Sequence, residues 1–299
     1  MKRLVILLGL MALLVLVSFG LTRPVSLTAD VLPQHSIDLV NGERLFHAGG
    51  CASCHASTDA EHDSDVPVLG GGLAMNTPFG IFHVPNISPH ITRGIGSWSM
   101  LDFVNAMNQG VSPGKRHYYP SFPYASYTRM SFADLMDLKS YLDTLPEVST
   151  ANVAHDLKFP WNVRSGIGFW KLLNLDSAPV VSVPEENDVL MRGRYLVEGP
   201  GHCGECHTPR NWNGGLDNSR WLAGAPNPDG EGKVSNITPG ENGLSDWSAD
   251  DIEYYLESGF TPDYDTAGSS MVEVQENMAR LPKEDRAAMA AYLKEIPPR

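Results

Sequence analysis

Cys51-Ala52-Ser53-Cys54-His55 decides how this chain is read, because the same C-x-x-C-H pattern returns as Cys203-Gly204-Glu205-Cys206-His207. The two motifs use all 4 cysteines of the protein. On a helical turn, cysteines three apart lie on one face, so both thiols can add to the vinyl groups on one edge of a porphyrin. The following residue, His55 or His207, then reaches the iron as proximal ligand. This is the haem c attachment pattern, and it occurs twice with no cysteine left over. A zinc ribbon also needs paired C-x-x-C, but its pairs usually sit some 15–20 residues apart. Here the pairs are 152 residues apart, too far for one compact knuckle. Two thioredoxin-like redox sites would not need a histidine after each. The expectation is two covalently bound haems c.

The bulk properties agree. At 299 residues the chain is comfortable for two small domains plus connections. A formal net charge of −13 excludes a nucleic-acid footprint, which is basic. It suits redox partners that present Lys or Arg. The 22 prolines and 28 glycines predict helices joined by substantial loops.

Met1-Lys2-Arg3 precedes eighteen uncharged residues, Leu4 to Leu21. As a helix they span about 27 Å, close to the roughly 30 Å of a bilayer core. Lys2 and Arg3 hold that end in the cytoplasm, so the rest is exported. A cleaved signal peptide, with Ser18-Phe19-Gly20 as a passable site, is the alternative. The uncleaved anchor is favoured, and both readings export the chain, as haem c assembly outside the bacterial inner membrane requires.

The expected organisation is residues 1–30 as membrane anchor or signal segment, 31–150 as a first domain, 151–185 as a packed connector and 186–299 as a second domain. In the first domain Gly42-Glu43-Arg44-Leu45-Phe46 leads into the Cys51 motif, and Ala56 to Pro85 reads as loop. Ser99 caps a helix with Asp102 as acidic partner, and Trp98 is stapled to Phe103. A last helix from about Phe132 to Thr144 buries Leu135, Leu138, Leu142 and Leu145 and ends at Pro146. The second domain repeats the plan. Gly193-Arg194-Tyr195-Leu196 precedes Cys203, Asn236-Ile237-Thr238-Pro239 answers Asn86-Ile87-Ser88-Pro89, Trp247-Ser248 through Ile252 answers the Trp98 helix start, and Tyr292-Leu293 answers Tyr141-Leu142. The offsets stay between 149 and 152 residues, so the halves read as one duplicated module. Trp161, Phe169, Trp170, Leu172 and Leu173 predict a connector that packs between the domains rather than a flexible linker.

The sixth iron ligand separates electron transfer from catalysis, since a thioether closes the site that peroxide chemistry needs. In the second domain the candidates are Met271, in the small-residue stretch Ala267-Gly268-Ser269-Ser270, then Met278, with Met289 as core. In the first, Met130 just before Ser131 is the loop candidate, with Met75, Met100, Met107 and Met136 behind it. His47, His62, His83, His90, His117, His155 and His202 read as non-ligands. The Asn86 and Asn236 sequons read as turns. Tyr118, Tyr119, Phe122, Tyr124 and Tyr127 are candidates to wall the first haem pocket, and Arg210 either pairs with a propionate or stands exposed.

Further strings extend beyond the haem motifs: Thr77-Pro78-Phe79-Gly80, Asn86-Ile87-Ser88-Pro89, Gly94-Ile95-Gly96-Ser97-Trp98-Ser99, Tyr124-Ala125-Ser126-Tyr127-Thr128-Arg129-Met130 and Gly201-His202-Cys203 through Asn211. Through them the chain resembles, over nearly everything after residue 35, the cytochrome c subunits of bacterial membrane-bound alcohol, aldehyde and gluconate dehydrogenases. The resemblance implies axial methionines at Met130 and Met271. Relatives commonly carry a further methionine where Phe122 stands, and typically have three haem domains where two are found here. The fold expected is all-α, two tandem class I-like cytochrome c domains after an N-terminal transmembrane helix. The function expected is electron transfer from a periplasmic dehydrogenase to a further cytochrome or terminal oxidase, on the periplasmic face of the inner membrane. A dihaem peroxidase is the alternative.

Overall fold

The computed structural model describes residues 2–58, 66–227, 230 and 232–299. The chain begins with helix α1 (Lys2–Thr22), whose apolar side chains are exposed along its length. It is long and apolar enough to cross a membrane. The first haem motif lies on α3 (Cys51–His55), directly after α2 (Leu39–Ala48). A hairpin follows, β1 (Ala74–Thr77) and β2 (Gly80–His83), then α4 (Met100–Gln109), α5 (Tyr124–Tyr127) and α6 (Phe132–Leu142). The connector contributes β3 (Asp156–Leu157) and α7 (Gly166–Asn174). The second set is α8 (Asp188–Glu198), α9 (Gly204–His207), the short pair β4 (Ala225–Pro226) and β5 (Lys233–Val234), α10 (Ala249–Ser258), α11 (Met271–Met278) and α12 (Lys283–Glu295).

Two helix crossings organise this order. α2 packs on α6 and α8 packs on α12, each at a glycine. A Cβ on Gly42 would stand 2.3 Å from the Asp137 carbonyl oxygen, and one on Gly193 would stand 1.9 Å from that of Ala288. Only a residue without a side chain permits so close a backbone approach. Leu45, Phe46, Leu135, Leu138 and Leu142 then fill the first core, while Leu196, Met289, Tyr292 and Leu293 fill the second. The expected helix starts are present. Ser99 with Asp102 and Ser248 with Asp251 each form a complete capping box, satisfying end N–H groups that the helix leaves unpaired. Trp98 with Phe103 and Trp247 with Ile252 share their respective cores.

Two expectations need correction. The molecule is mostly helical but not purely so: residues 56–85, read as loop, contain the β1–β2 hairpin, and β3 of the connector pairs with β2 through Gly80 and Ile81. The turn at Gly80, with φ at 126°, brings the chain back, a geometry invisible to a helix-or-loop reading. The last helix of the first set stops at Leu142, because Asp143 and Thr144 turn out before Pro146. The connector is fastened by polar groups as well as by the edge-on contacts of Trp161 with Phe79 and Trp170 with Tyr124. Lys171 Nζ donates to the carbonyls of Gln109 and Gly110 at 2.6 and 2.7 Å, and Arg164 donates to that of His117 at 2.7 Å. At its other end Glu198 accepts from the N–H groups of Val180 and Val181 at 2.7 and 3.0 Å. Trp170 is half-buried against Tyr124, whereas Trp161, Phe169, Leu172 and Leu173 are exposed.

Candidate haem sites

Each C-x-x-C-H segment is a single helical turn following a glycine-bearing bend, which seats the first thiol. Cβ atoms on Gly49 and Gly201 would lie 3.5 and 3.6 Å from the Sγ atoms of Cys51 and Cys203. None of the four cysteines is in a disulfide. Burial, with the neighbouring thiol adding to it, pushes Cys51 and Cys203 up to about 12, so both are thiols at neutral pH. Among the described residues no three His, Cys, Asp or Glu side chains are grouped as metal ligands.

The two histidines are held alike. His55 Nδ1 lies 2.8 Å from the Pro85 carbonyl oxygen, and His207 Nδ1 lies 2.7 Å from that of Ser235. A carbonyl only accepts, so Nδ1 carries the proton and the Nε2 lone pair is directed away, as an iron ligand requires. Burial lowers the pKa of both rings, with the carbonyl bond opposing, which keeps the ligating neutral form. These residues fit haem c, which supplies a one-electron iron couple when bound. The carbonyl partners Pro85 and Ser235 were not singled out from the sequence. Their signal was the repeated Asn-Ile-Ser/Thr-Pro string one residue later. There Asn86 Oδ1 accepts from Ser88 N–H at 2.9 Å and Asn236 Oδ1 from Thr238 N–H at 2.8 Å, fixing the turn that presents the carbonyl.

The structure separates the methionine candidates. Met130 is buried at 4% exposure in the cluster that holds Cys51, Tyr127 and Phe122. Met271 is not in a loop: it is the first residue of α11, half-buried, while Met278 at 2% exposure packs with Cys203 in the second core. Met130 and Met271 do not occupy equivalent places. Met130 answers Leu281, since each precedes the cap of the terminal helix and bonds the carbonyl three residues back, at 2.9 and 3.0 Å. Met271 opens α11 as Tyr124 opens α5. Phe122 meets the rings of Tyr118, Tyr124 and Tyr127, whereas Tyr119 meets those of Phe82 and His155 edge-on. Arg210 binds the Glu205 carboxylate at 2.7 Å. Of the other histidines, His62 lies outside the described residues. His202 contacts the Gly49 carbonyl oxygen at 3.2 Å, and His117 contacts that of Thr22 at 2.7 Å.

Each attachment turn is held by a helix of the other unit, α5 or α11. Ser126 Oγ donates to Glu205 Oε1 at 2.9 Å, and Asn277 Nδ2 donates to Ser53 Oγ at 3.0 Å. Tyr127 and His202 rings meet edge-on at 5.6 Å. Tyr195 donates its hydroxyl proton to Asp134, and Arg44 reaches Asp285 at 3.7 Å.

Residues 39–146 match the cytochrome c family model. A dihaem c-type cytochrome of Cereibacter sphaeroides is 53% identical over 280 residues, covering 93% of this chain and 92% of that one. The fructose dehydrogenase cytochrome subunit of Gluconobacter japonicus is 34% identical over 88% of this chain and 53% of its own length. The gluconate 2-dehydrogenase cytochrome c subunit of Pantoea cypripedii is 36% identical over 85% and 58%. The chain thus spans about half the length of these dehydrogenase subunits. Similarity to the Cereibacter protein along almost the full length of both chains, joined to two identically braced attachment turns, settles the family: the chain belongs to the dihaem c-type cytochromes and is an electron-transfer protein carrying two covalent haems.

Proposed function

We propose that the chain is a membrane-anchored relay, which takes electrons from a periplasmic dehydrogenase and passes them to a further cytochrome or terminal oxidase. The division is the one expected from the sequence: anchor 1–30, haem units 31–150 and 186–299, and connector 151–185. Cys51, Cys54 and His55 hold one haem with Met130 as its sixth ligand, and Cys203, Cys206 and His207 hold the other with Met271. The observation that carries the relay is the junction of Ser126 with Glu205 and Asn277 with Ser53, which docks each attachment turn on a helix of the other unit. Electrons tunnel efficiently only over short distances, so adjoining haem sites suit transfer through the chain. The similarity to cytochrome subunits of dehydrogenases supports a dehydrogenase donor and favours the relay over the peroxidase. The exposed apolar side chains of α1, with Lys2 and Arg3 ahead of Leu4, support the anchor with the haem units outside the cytoplasm.

The test is purification of the native complex from membranes, with identification of what accompanies it. The expected result is a dehydrogenase whose substrate reduces both haems, each low-spin in the ferric state. A high-spin haem with peroxide turnover overturns the relay.

A further inference from the structure

The connector carries apolar side chains that its own fold leaves uncovered. On α7 Phe169, Leu172 and Leu173 recur at i, i+3 and i+4, one face of a helix, with exposures of 49%, 59% and 67%. Shortly before it, Phe159 is 81% exposed and Trp161, one side of which meets Phe79 edge-on at 5.0 Å, is 51% exposed. Isolated exposed apolar residues need no explanation, but a helix face with two aromatic rings beside it does.

What covers this face follows from where it lies. α7 crosses the C-terminal end of α1 at Gly168, where a Cβ would stand 2.2 Å from the Thr22 carbonyl oxygen. That carbonyl belongs to the last turn of α1 and has no partner within the helix. His117 Nε2 takes it up at 2.7 Å, so the end of α1 is docked on the folded body rather than tethered to it. Helix α7 therefore sits at the level where α1 leaves the bilayer. Charge agrees with place. Residues 157–175 contain not one Asp or Glu, in a chain of net charge −13, and while Arg164 and Lys171 turn inward to backbone carbonyls, Lys158 is exposed among them. Arg23, Lys115 and Arg116 stand exposed nearby, with Lys115 Nζ bonded to Ser26 Oγ at 3.0 Å. Apolar and aromatic side chains with a basic surround are what a bilayer interface with anionic headgroups receives.

We propose that the outer face of α7, with Phe159 and Trp161, lies in the membrane interface and holds the haem-bearing body flat against the lipid surface. The proposal rests on α1 being a retained anchor. It assigns the connector a second task beside joining the units: it fixes the tilt of the body over the membrane, which a single helix leaves open.

The test uses the full chain in native membranes with the photoreactive p-benzoylphenylalanine in place of Leu172. Irradiation is expected to give a phospholipid adduct in the peptide around residue 172. In parallel, the full-length protein in nanodiscs of anionic phospholipid should show slowed amide exchange over 159–175 relative to detergent. The Leu172→Glu, Leu173→Glu double variant should lose that protection while its haem spectrum is unchanged. A polypeptide adduct, marking a protein partner or a second copy, or protection that the double variant retains, overturns the lipid contact. If intact mass then still shows Leu4 to Leu21, the anchor survives that failure. A soluble protein beginning near residue 21 removes the anchor, and the lipid contact with it.

Discussion

Asn277 donates to Ser53, which stands between Ala52 and Cys54 in the other unit's haem turn, and Ser126 donates to Glu205 at the corresponding place. The two contacts are related by the internal repeat, so neither unit alone can form its half of the junction. Each hydrogen bond contributes about 1 kcal/mol. Replacing both Ser126 and Asn277 by alanine is expected to lower the urea midpoint modestly. It should also slow equilibration of an electron between the haems, read by pulse radiolysis.

Thioether attachment makes a direct chemical test. Cys54→Ala or Cys206→Ala leaves one thiol at that site. The pyridine haemochrome band of one haem in two should then shift toward that of a haem with one vinyl group intact. Wild-type protein should retain both haems through acid extraction.

Met130→Ala and Met271→Ala are each expected to abolish the near-infrared sulfur-to-iron band of one ferric haem and to lower its potential, because a thioether ligand favours the ferrous state. Met278 is the control, but its burial at 2% exposure makes alanine unsuitable. A Met→Ala change there costs about 2–5 kcal/mol through the cavity it leaves. Met278→Leu keeps the volume and should leave both bands intact.

Glu198 ties the connector to the second unit. Its carboxylate, 2% exposed, accepts from Val180, Val181 and the Tyr292 hydroxyl, the last at 2.6 Å. Glu198→Ala leaves these donors without their acceptor in a dry setting and takes the opposing carboxylate from Arg129 at 3.9 Å, a loss of about 3 kcal/mol. Thermal unfolding should show it, and limited proteolysis should open the chain between residues 175 and 185.

Asp137 gives the fold an acid limit. Burial pushes its carboxyl up, but the N–H of Asp38, the amide of Asn41 and the His35 ring outweigh burial and hold it below the ordinary 3.8. A depressed folded value stabilises the protein above the ordinary titration and ceases to do so as pH falls through the lower folded value. Wild-type stability should therefore decline below about pH 4, whereas Asp137→Asn, less stable at neutral pH, should show a shallower decline. Urea midpoints across that range check both.

Much of this molecule was legible in one dimension. The C-x-x-C-H motifs named the cofactor because the covalent chemistry is local: two thiols and a histidine within five residues suffice. Ser99, Asp102 and Trp98, with Ser248, Asp251 and Trp247, announced helix starts for the same reason, since a cap is made within one turn. The repeat of Gly42 as Gly193 was visible as a string.

Three-dimensional packing decided the rest. Nothing local says that Gly42 and Gly193 are where helices cross, that Pro85 and Ser235 offer the carbonyls holding His55 and His207, or that each haem turn docks on a helix of the other unit. Each depends on groups brought together from distant positions in the chain. The same limit applies to Phe169, Leu172 and Leu173. Their apolarity announced burial, but whether a partner element covers an apolar face depends on what the fold places opposite it, and among the described residues α7 meets the end of α1 while these three side chains stay exposed.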